Sequence, residues 1–290
     1  MTIKRLTNSQ VREFLKEANF LAGESIVIGG SSLFHGAPLL SLQAASRFNK
    51  TVFFTSPEGS LSQVAQEIKS KLFSFIWVPF SQVDDYLTSV DIALIGPGFM
   101  RYSEQKQAKE YFLRPDRRAG RRTKRITEKL LKKFFSLPWV VDAGSLQVID
   151  KKTLPSGAII TPNNQEFALL FGDNLPSLPL EEQIRVITKR AKENNCVIVS
   201  KNPDSVIAAR DDYLVVSGGN QGLEKGGTGD ALAGLVMALS AKTTSPLVSS
   251  AVAVWLFKKA AEELFAHKGA FYNADDLAQT IALSARKCLF

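Results

Sequence analysis

The chain has 290 residues, of which 45% are hydrophobic and 22% charged, with two cysteines and two histidines. That is enough chain for a large core and too few cysteines and histidines for a disulfide framework or a dedicated metal cage. Net charge is +8, yet residues 114–133 alone hold ten Lys/Arg against Asp116 and Glu128, so the rest is balanced and overall basicity is no argument for nucleic acid.

Asn8, Val11, Phe14, Leu15 and Ala18 have helical spacing and predict a helix over 8–18. Ser25-Ile26-Val27-Ile28 predicts a strand that stops at Gly29-Gly30-Ser31-Ser32, the kind of exit that carries ligands at the carboxyl edge of a parallel sheet. A helix is expected over 39–48, a strand over 51–55, a helix over 60–71, an apolar strand over 75–78 and a short helix over 83–87. A strand over 91–95 ends in Gly96-Pro97-Gly98. Residues 101–133 read as a basic insertion or flexible segment, most simply a solvated face, whose latter half (Ile126, Leu130, Leu131, Phe134, Phe135) is an amphipathic helix.

Trp139-Val140-Val141 leads into Asp142-Ala143-Gly144, and Ala158-Ile159-Ile160 into Thr161-Pro162-Asn163-Asn164, with a helix opening at Glu166. A helix over 181–194 precedes a strand over 197–201, and 206–209 with 213–216 reads as a hairpin around Arg210-Asp211-Asp212. Helices are expected over 229–240, 247–266 and 274–287. The last-but-one is apolar enough to serve a subunit contact, although core packing is the simpler use, so a homo-oligomer stays open. Apolar strands alternating with helices predict an α/β fold: a mainly parallel central sheet covered by helices on both faces, closed by a late β-hairpin. With no linker and no repeat, 1–290 is read as one domain. A polar start and no apolar run near ~18 residues predict no signal peptide and no membrane span, and a cytoplasmic setting. Cys196, against Val197-Ile198-Val199, reads as a buried thiol.

The stretch Lys225-Gly226-Gly227-Thr228-Gly229-Asp230 runs directly into Ala231-Leu232-Ala233-Gly234, read as a closely packed helix. Glycines opening a helix present free N–H donors and the positive end of the helix dipole, which suits a phosphate. An aspartate in that nest opposes the anion it would attract, which makes Asp230 a candidate for proton transfer, with a simple helix cap as the alternative. The pattern is neither a P-loop nor the dinucleotide fingerprint, since no Lys-Ser or Lys-Thr follows it and it comes late in the chain. Asp142, Asn163, Glu166 and Lys201 likewise stand at strand or helix ends, where turn organisation, helix-dipole placement or solvation would equally account for them.

The order of these pieces resembles the NAD(P)H-hydrate dehydratase family of the ribokinase-like superfamily. The resemblance runs from about residue 26 to about residue 260, through Val27-Ile28-Gly29-Gly30-Ser31 with Gly36-Ala37-Pro38, Ile95-Gly96-Pro97-Gly98, Val141-Asp142-Ala143, Thr161-Pro162 with Glu166-Phe167, Lys201 with Asp204-Ser205-Val206, and Gly226–Asp230. It implies a ribokinase-like fold and nucleotide-dependent dehydration of hydrated NADH or NADPH (NAD(P)HX). ADP or ATP would be the phosphoryl donor, Mg²⁺ would sit on its phosphates, and a separate epimerase would be a pathway neighbour. It implies that Ala37, Gly98 and Asn163, with Asp142 and Glu166, lie at the hydrate. Lys201, Asn202, Pro203, Asp204, Ser205, Gly226, Gly227, Thr228 and Gly229 would bind the nucleotide, and Asp230 would be the base. Several positions depart from the family pattern: Asn163 stands for a histidine, Gln165 for a glycine, Gly144 for an aspartate, Asn202 for a glycine and Met100 for a third glycine. Asn163 cannot titrate, so any proton role there is lost. The rival expectations are a small-molecule kinase of the same superfamily, acting on a vitamin precursor or sugar, and a nucleotide-binding homologue with weakened catalysis.

Overall fold

The computed structural model describes residues 3–68, 74–101 and 117–289. The strands are β1 (Glu24–Ile28), β2 (Thr51–Thr55), β3 (Ile76–Trp77), β4 (Ile92–Ile95), β5 (Trp139–Val141), β6 (Ile159–Ile160), β7 (Val197–Val199), β8 (Ser205–Ala209) and β9 (Asp212–Val216). They form one sheet in the order β3-β2-β1-β4-β5-β6-β7-β8-β9, parallel from β3 to β7 and antiparallel over β7-β8-β9. The expected mixed sheet with a late hairpin is therefore present. Arg210, at φ 51°, makes the tight reversal.

The helices are α1 (Asn8–Glu17), α2 (Gly36–Ala45), α3 (Ser60–Ile68), α4 (Val83–Leu87), α5 (Arg117–Lys133), α6 (Ala143–Leu146), α7 (Asn164–Phe171), α8 (Leu180–Glu193), α9 (Thr228–Ser240), α10 (Pro246–Lys268) and α11 (Ala274–Leu289). Side chains alternate across each strand, so the sheet divides the apolar residues into two cores. Val27, Leu94, Val140 and Ile159 join residues of α1, α2, α3, α9, α10 and α11 on one face. Ile26, Ile28, Ile95, Val141, Ile160 and Ile198 join residues of α4, α5, α7 and α8 on the other. Cys196 is buried on the second face, and burial pushes its thiol up to about 12.

Boundaries differ from the sequence reading at several elements, among them α2 and the run 75–78, and the strand expected over 197–201 ends at Val199. Helix α2 starts at Gly36 rather than 39, because Pro38 falls in its first turn, where a missing N–H costs nothing. The run 75–78 pairs over two residues only, at the sheet edge. The amphipathic half of the basic segment is α5, buried through Thr127, Leu130 and Leu131. Residues 102–116 of that segment and 69–71 of the helix expected over 60–71 lie outside the described residues.

Candidate functional site

Strand order reverses between β1 and β4, and their carboxyl ends open the crevice where ligands of such sheets bind. The two exits lock together. Gly30 donates its N–H to the Pro97 carbonyl (2.8 Å), and a Cβ on Gly98 (φ 74°) would fall 2.3 Å from the Phe34 carbonyl and 3.1 Å from Pro38 Cδ. Gly98 and Ala37, the residue before Pro38, are thus brought to one turn. The next turn of α2 touches the glycine helix: Ser41 Oγ donates to the Asp230 carbonyl (2.8 Å), and a Cβ on Gly234 would meet the Ser41 carbonyl at 2.3 Å. The close approach expected of Ala233-Gly234 is therefore against α2.

Strands β5, β6 and β7 each deliver one side chain beside α9. Asp142, 1% exposed, accepts at Oδ1 from Thr161 Oγ1 (2.6 Å) and Lys201 Nζ (2.6 Å). It starts α6 without capping it, so its carboxylate serves this cluster rather than its own turn. Ala143 beside it holds φ 48°, a costly angle for a residue with a Cβ. Glu166, also buried, accepts from Gln147 Nε2 (2.9 Å) and from the Asn163 N–H (3.0 Å), while Asn163 Oδ1 accepts from the Glu166 N–H (2.9 Å). That reciprocal pair is a capping box, which gives Asn163 a local structural use.

Asp230 lies in the first turn of α9, half-buried. Burial, with the negative Asp142 and Glu166 nearby, pushes its carboxyl up to about 7, and Lys201 only partly offsets this. Burial works against the charge of Lys201, but Asp142, Glu166 and Asp230 outweigh it and hold its pKa above the ordinary value. A half-buried aspartate near pH 7, beside an anchored cation, can accept a proton from a hydroxyl and release it again.

A cavity of about 500 Å³ adjoins this cluster through Lys201 and Gly229. Of the residues expected at the nucleotide, Lys201, Asn202, Pro203, Ser205, Thr228 and Gly229 line it, and Asn163, expected at the hydrate, lines it too. Gly227 (φ 90°) opens the helix but faces Leu40 and Ala274, and Gly226 has open space around it. Asp204 turns away, accepting from Ser217 Oγ and Arg5 Nη1. The far wall was not anticipated: it is Gly218–Gln221 and Leu223–Lys225 with Val254, Phe257 and Lys258 of α10. Lys225 ties this wall to the α10–α11 loop through the carbonyls of Ala270 and Tyr272, and Tyr272 Oη donates to Asn220 Oδ1 (2.7 Å). One sequence signal existed. Lys258 follows Val254 and precedes Ala261 at helical spacing, a charge on an apolar stripe.

Residues 25–283 match the sequence profile of the NAD(P)H-hydrate dehydratase family. The chain belongs to that family. It is 28% identical over 279 residues to the ADP-dependent (S)-NAD(P)H-hydrate dehydratase of Nitrosopumilus maritimus, covering 88% of each chain. It also matches bifunctional NAD(P)H-hydrate repair enzymes, of whose length it spans about half. In fold it is similar to the ADP/ATP-dependent NAD(P)H-hydrate dehydratase of Bacillus subtilis co-crystallised with ATP/Mg²⁺ and soaked with CoA (TM-score 0.80, 22% identity, 99% of this chain and 100% of that one). The same fold occurs in a ribokinase-like superfamily protein of Enterococcus faecalis (TM-score 0.74, 19% identity, 99% and 96% covered).

One departure from the dehydratase pattern has a steric reason. A Cβ on Gly144 would lie 2.1 Å from the Phe99 carbonyl oxygen and 2.9 Å from Phe99 Cβ, so the aspartate expected there has no room. Gly144→Asp is therefore expected to lower stability by about 2–4 kcal/mol, through overpacking and a buried charge, rather than to improve the site. A thermal melt of that variant at or above the parent midpoint would show that the loop after β4 yields.

Proposed function

We propose that this protein restores NADH and NADPH from their hydrated forms, with ADP as the phosphoryl donor. The observation that carries the reading is the placement of Asp230. Its carboxyl, raised toward neutrality, stands in the first turn of a glycine-opened helix, with a nucleotide-sized cavity on the Gly229–Lys201 side and α2, which begins at Gly36-Ala37-Pro38, held against the Asp230 carbonyl by Ser41. Kinship with the ADP-dependent enzyme of Nitrosopumilus maritimus supports ADP over ATP.

In the proposed reaction Asp230 takes the proton of the C6 hydroxyl as that oxygen attacks the terminal phosphorus of the nucleotide. The phosphoanhydride bond breaks and AMP departs. The N–H groups of the first turn of α9 hold the charge on the transferred group, and Lys201, anchored by Asp142, adds its positive field. The ring nitrogen lone pair then expels phosphate, a far better leaving group than hydroxide, and loss of a C5 proton completes the dihydronicotinamide.

Mg²⁺ fits the site as an ion carried on the nucleotide. Among the described residues no three His, Cys, Asp or Glu are grouped to hold a metal, so phosphate oxygens and water would supply most of its shell. Asp142 Oδ2 is buried with no hydrogen-bond partner among the described residues, and it is the acceptor such a hydrated ion or a substrate hydroxyl would engage. Bound there, the ion would neutralise phosphate charge.

Among the described residues no helix is long and apolar enough to cross a membrane, and a cytoplasmic enzyme is proposed. An epimerase supplied by another chain is its proposed partner in the pathway, as the bifunctional relatives suggest. Chemically hydrated NADH incubated with the protein and ADP should regain dihydronicotinamide absorbance, releasing one AMP per NADH, with ATP serving less well. Nucleotide consumption only with another acceptor, or nucleotide binding without turnover, would sink the proposal.

A further inference from the structure

Among the described residues, the mechanism leaves one buried cation unused. Lys258, on the inner face of α10, is 4% exposed, and its ammonium donates to three backbone carbonyls: Asn202 (3.0 Å), Pro203 (2.6 Å) and Val216 (2.7 Å). Three acceptors for three donors leave none of its hydrogens to spare. Two of those carbonyls belong to the loop after β7 that lines the cavity, and the third ends β9. One turn further along α10, Glu262 Oε1 accepts from the Gly219 N–H (3.1 Å), with Lys259 holding its other oxygen (2.7 Å). Gly218 is pressed on the same carboxylate, where a Cβ would come 2.5 Å from Oε1, and a Cβ on Gly219 would rest 3.4 Å from Lys258 Cγ. Two oppositely charged side chains at i and i+4 thus grip both walls of one cavity from behind.

We propose that Lys258 is the positioning residue for the nucleotide, its ammonium setting the 202–203 wall of the cavity while Glu262 sets the 218–219 wall. This rests on the reading of the cavity as the nucleotide site. Burial pushes Lys258 down to about 8, against the opposing pull of Asp204 and Glu262. Lys201, Glu224 and Lys225 are the other charged residues that line the same cavity. Below that pH the charged form binds all three carbonyls. Above it, the neutral amine keeps two donors and loses the charge that strengthens each bond. The planar fork of an arginine does not match three converging acceptors, so Lys258→Arg should be a partial substitute only.

The test is calorimetric titration of the full chain with ADP, alongside steady-state kinetics with hydrated NADH. Lys258→Met should weaken ADP binding about tenfold, as expected for buried carbonyls left without donors. Its kcat at saturating ADP and its KM for the hydrate should stay within about threefold of the parent. Lys258→Arg should lie between the two, and Glu262→Gln should cost roughly threefold in ADP affinity. Between pH 7 and 9 the parent should lose ADP affinity relative to Lys258→Met, whose own profile lacks that loss. Unchanged ADP affinity in a folded Lys258→Met, or equal losses toward ADP and hydrate, overturns the assignment. Should Lys258→Met not fold, full ADP affinity in Lys258→Arg together with a flat parent profile overturns it as well. If the parent itself binds no ADP, the cavity is not a nucleotide site and both readings fall together. If the parent binds ADP without dehydrating the hydrate, the affinity series still decides the role of Lys258.

Discussion

Asp230→Asn is expected to lower kcat by at least about a thousandfold while leaving the fold and nucleotide binding in place. Asparagine keeps the size and the position in the first turn of α9 but cannot take up a proton. The Ser41 bond to the residue 230 carbonyl is made by the backbone and survives the change. The parent should show an acid limb in kcat/KM centred near pH 7, because the raised carboxyl must be ionised to act as the base. Asp142, Glu166 and Lys201 titrate alongside it, so the limb belongs to the group as a whole.

The same shift has a signed effect on stability. Asp230 is raised from its ordinary 3.8 to about 7, so between those pH values the native state holds a proton that the unfolded chain has released. Stability contributed by this group therefore falls as pH rises through that window, and the penalty is complete above about pH 7. Asparagine carries no such penalty. Asp230→Asn should melt a few degrees higher than the parent at pH 8 and level with it at pH 4, roughly 2–4 °C for each kcal/mol relieved. A variant that retains a tenth of parental turnover removes Asp230 from the chemistry, and equal melts at pH 8 would contradict the strain assigned to it.

Asp142→Asn should damage both stability and rate, unlike the change at 230. The amide can keep the Thr161 bond but leaves the half-buried Lys201 beside it without its anchoring charge. Removing one partner of a buried pair costs about 3 kcal/mol at the low end, the end expected here because Lys201 keeps some contact with water. The midpoint should fall by roughly 6–12 °C. Asp142 is also a cause of the high Asp230 pKa, second to burial, so its loss, with Lys201 unpaired nearby, should move the acid limb downward. Turnover should drop tenfold or more as Lys201 loses its fixed position. An unmoved limb in a folded Asp142→Asn protein would disconnect the two carboxylates.

The fold was readable because each central strand is a short apolar run stopped by glycine, serine, aspartate or asparagine, and those stops mark the carboxyl edge of the sheet. The cluster was partly readable for the same reason: Asp142, Thr161 and Lys201 follow β5, β6 and β7, and adjacent parallel strands deliver their exits side by side. The far wall of the cavity was hidden because it is assembled from two separate segments, 218–225 and one turn of α10. Nothing local to Lys258 shows that two carbonyls of the loop after β7 and one at the end of β9 converge on it. Asp204 illustrates the converse. Its position in the motif suggested the nucleotide, whereas its side chain answers to Arg5, a residue from the other end of the chain. Asn163 looked like a lost titratable group, and the capping box shows why an amide is comfortable there.

The start of α9 lies between the cavity beyond Gly229 and Lys201 on one side and α2, held to the Asp230 carbonyl by Ser41, on the other, and the first turn of α2 packs on the interlocked exits of β1 and β4. In the proposed reaction a nucleotide in the cavity and a hydrate at the Ala37–Gly98 turn would occupy different sides of α9, so neither would have to leave before the other arrives. A phosphoryl group passed straight between them never rests on the protein. Initial-rate plots taken at several fixed levels of the second reactant should accordingly intersect rather than run parallel.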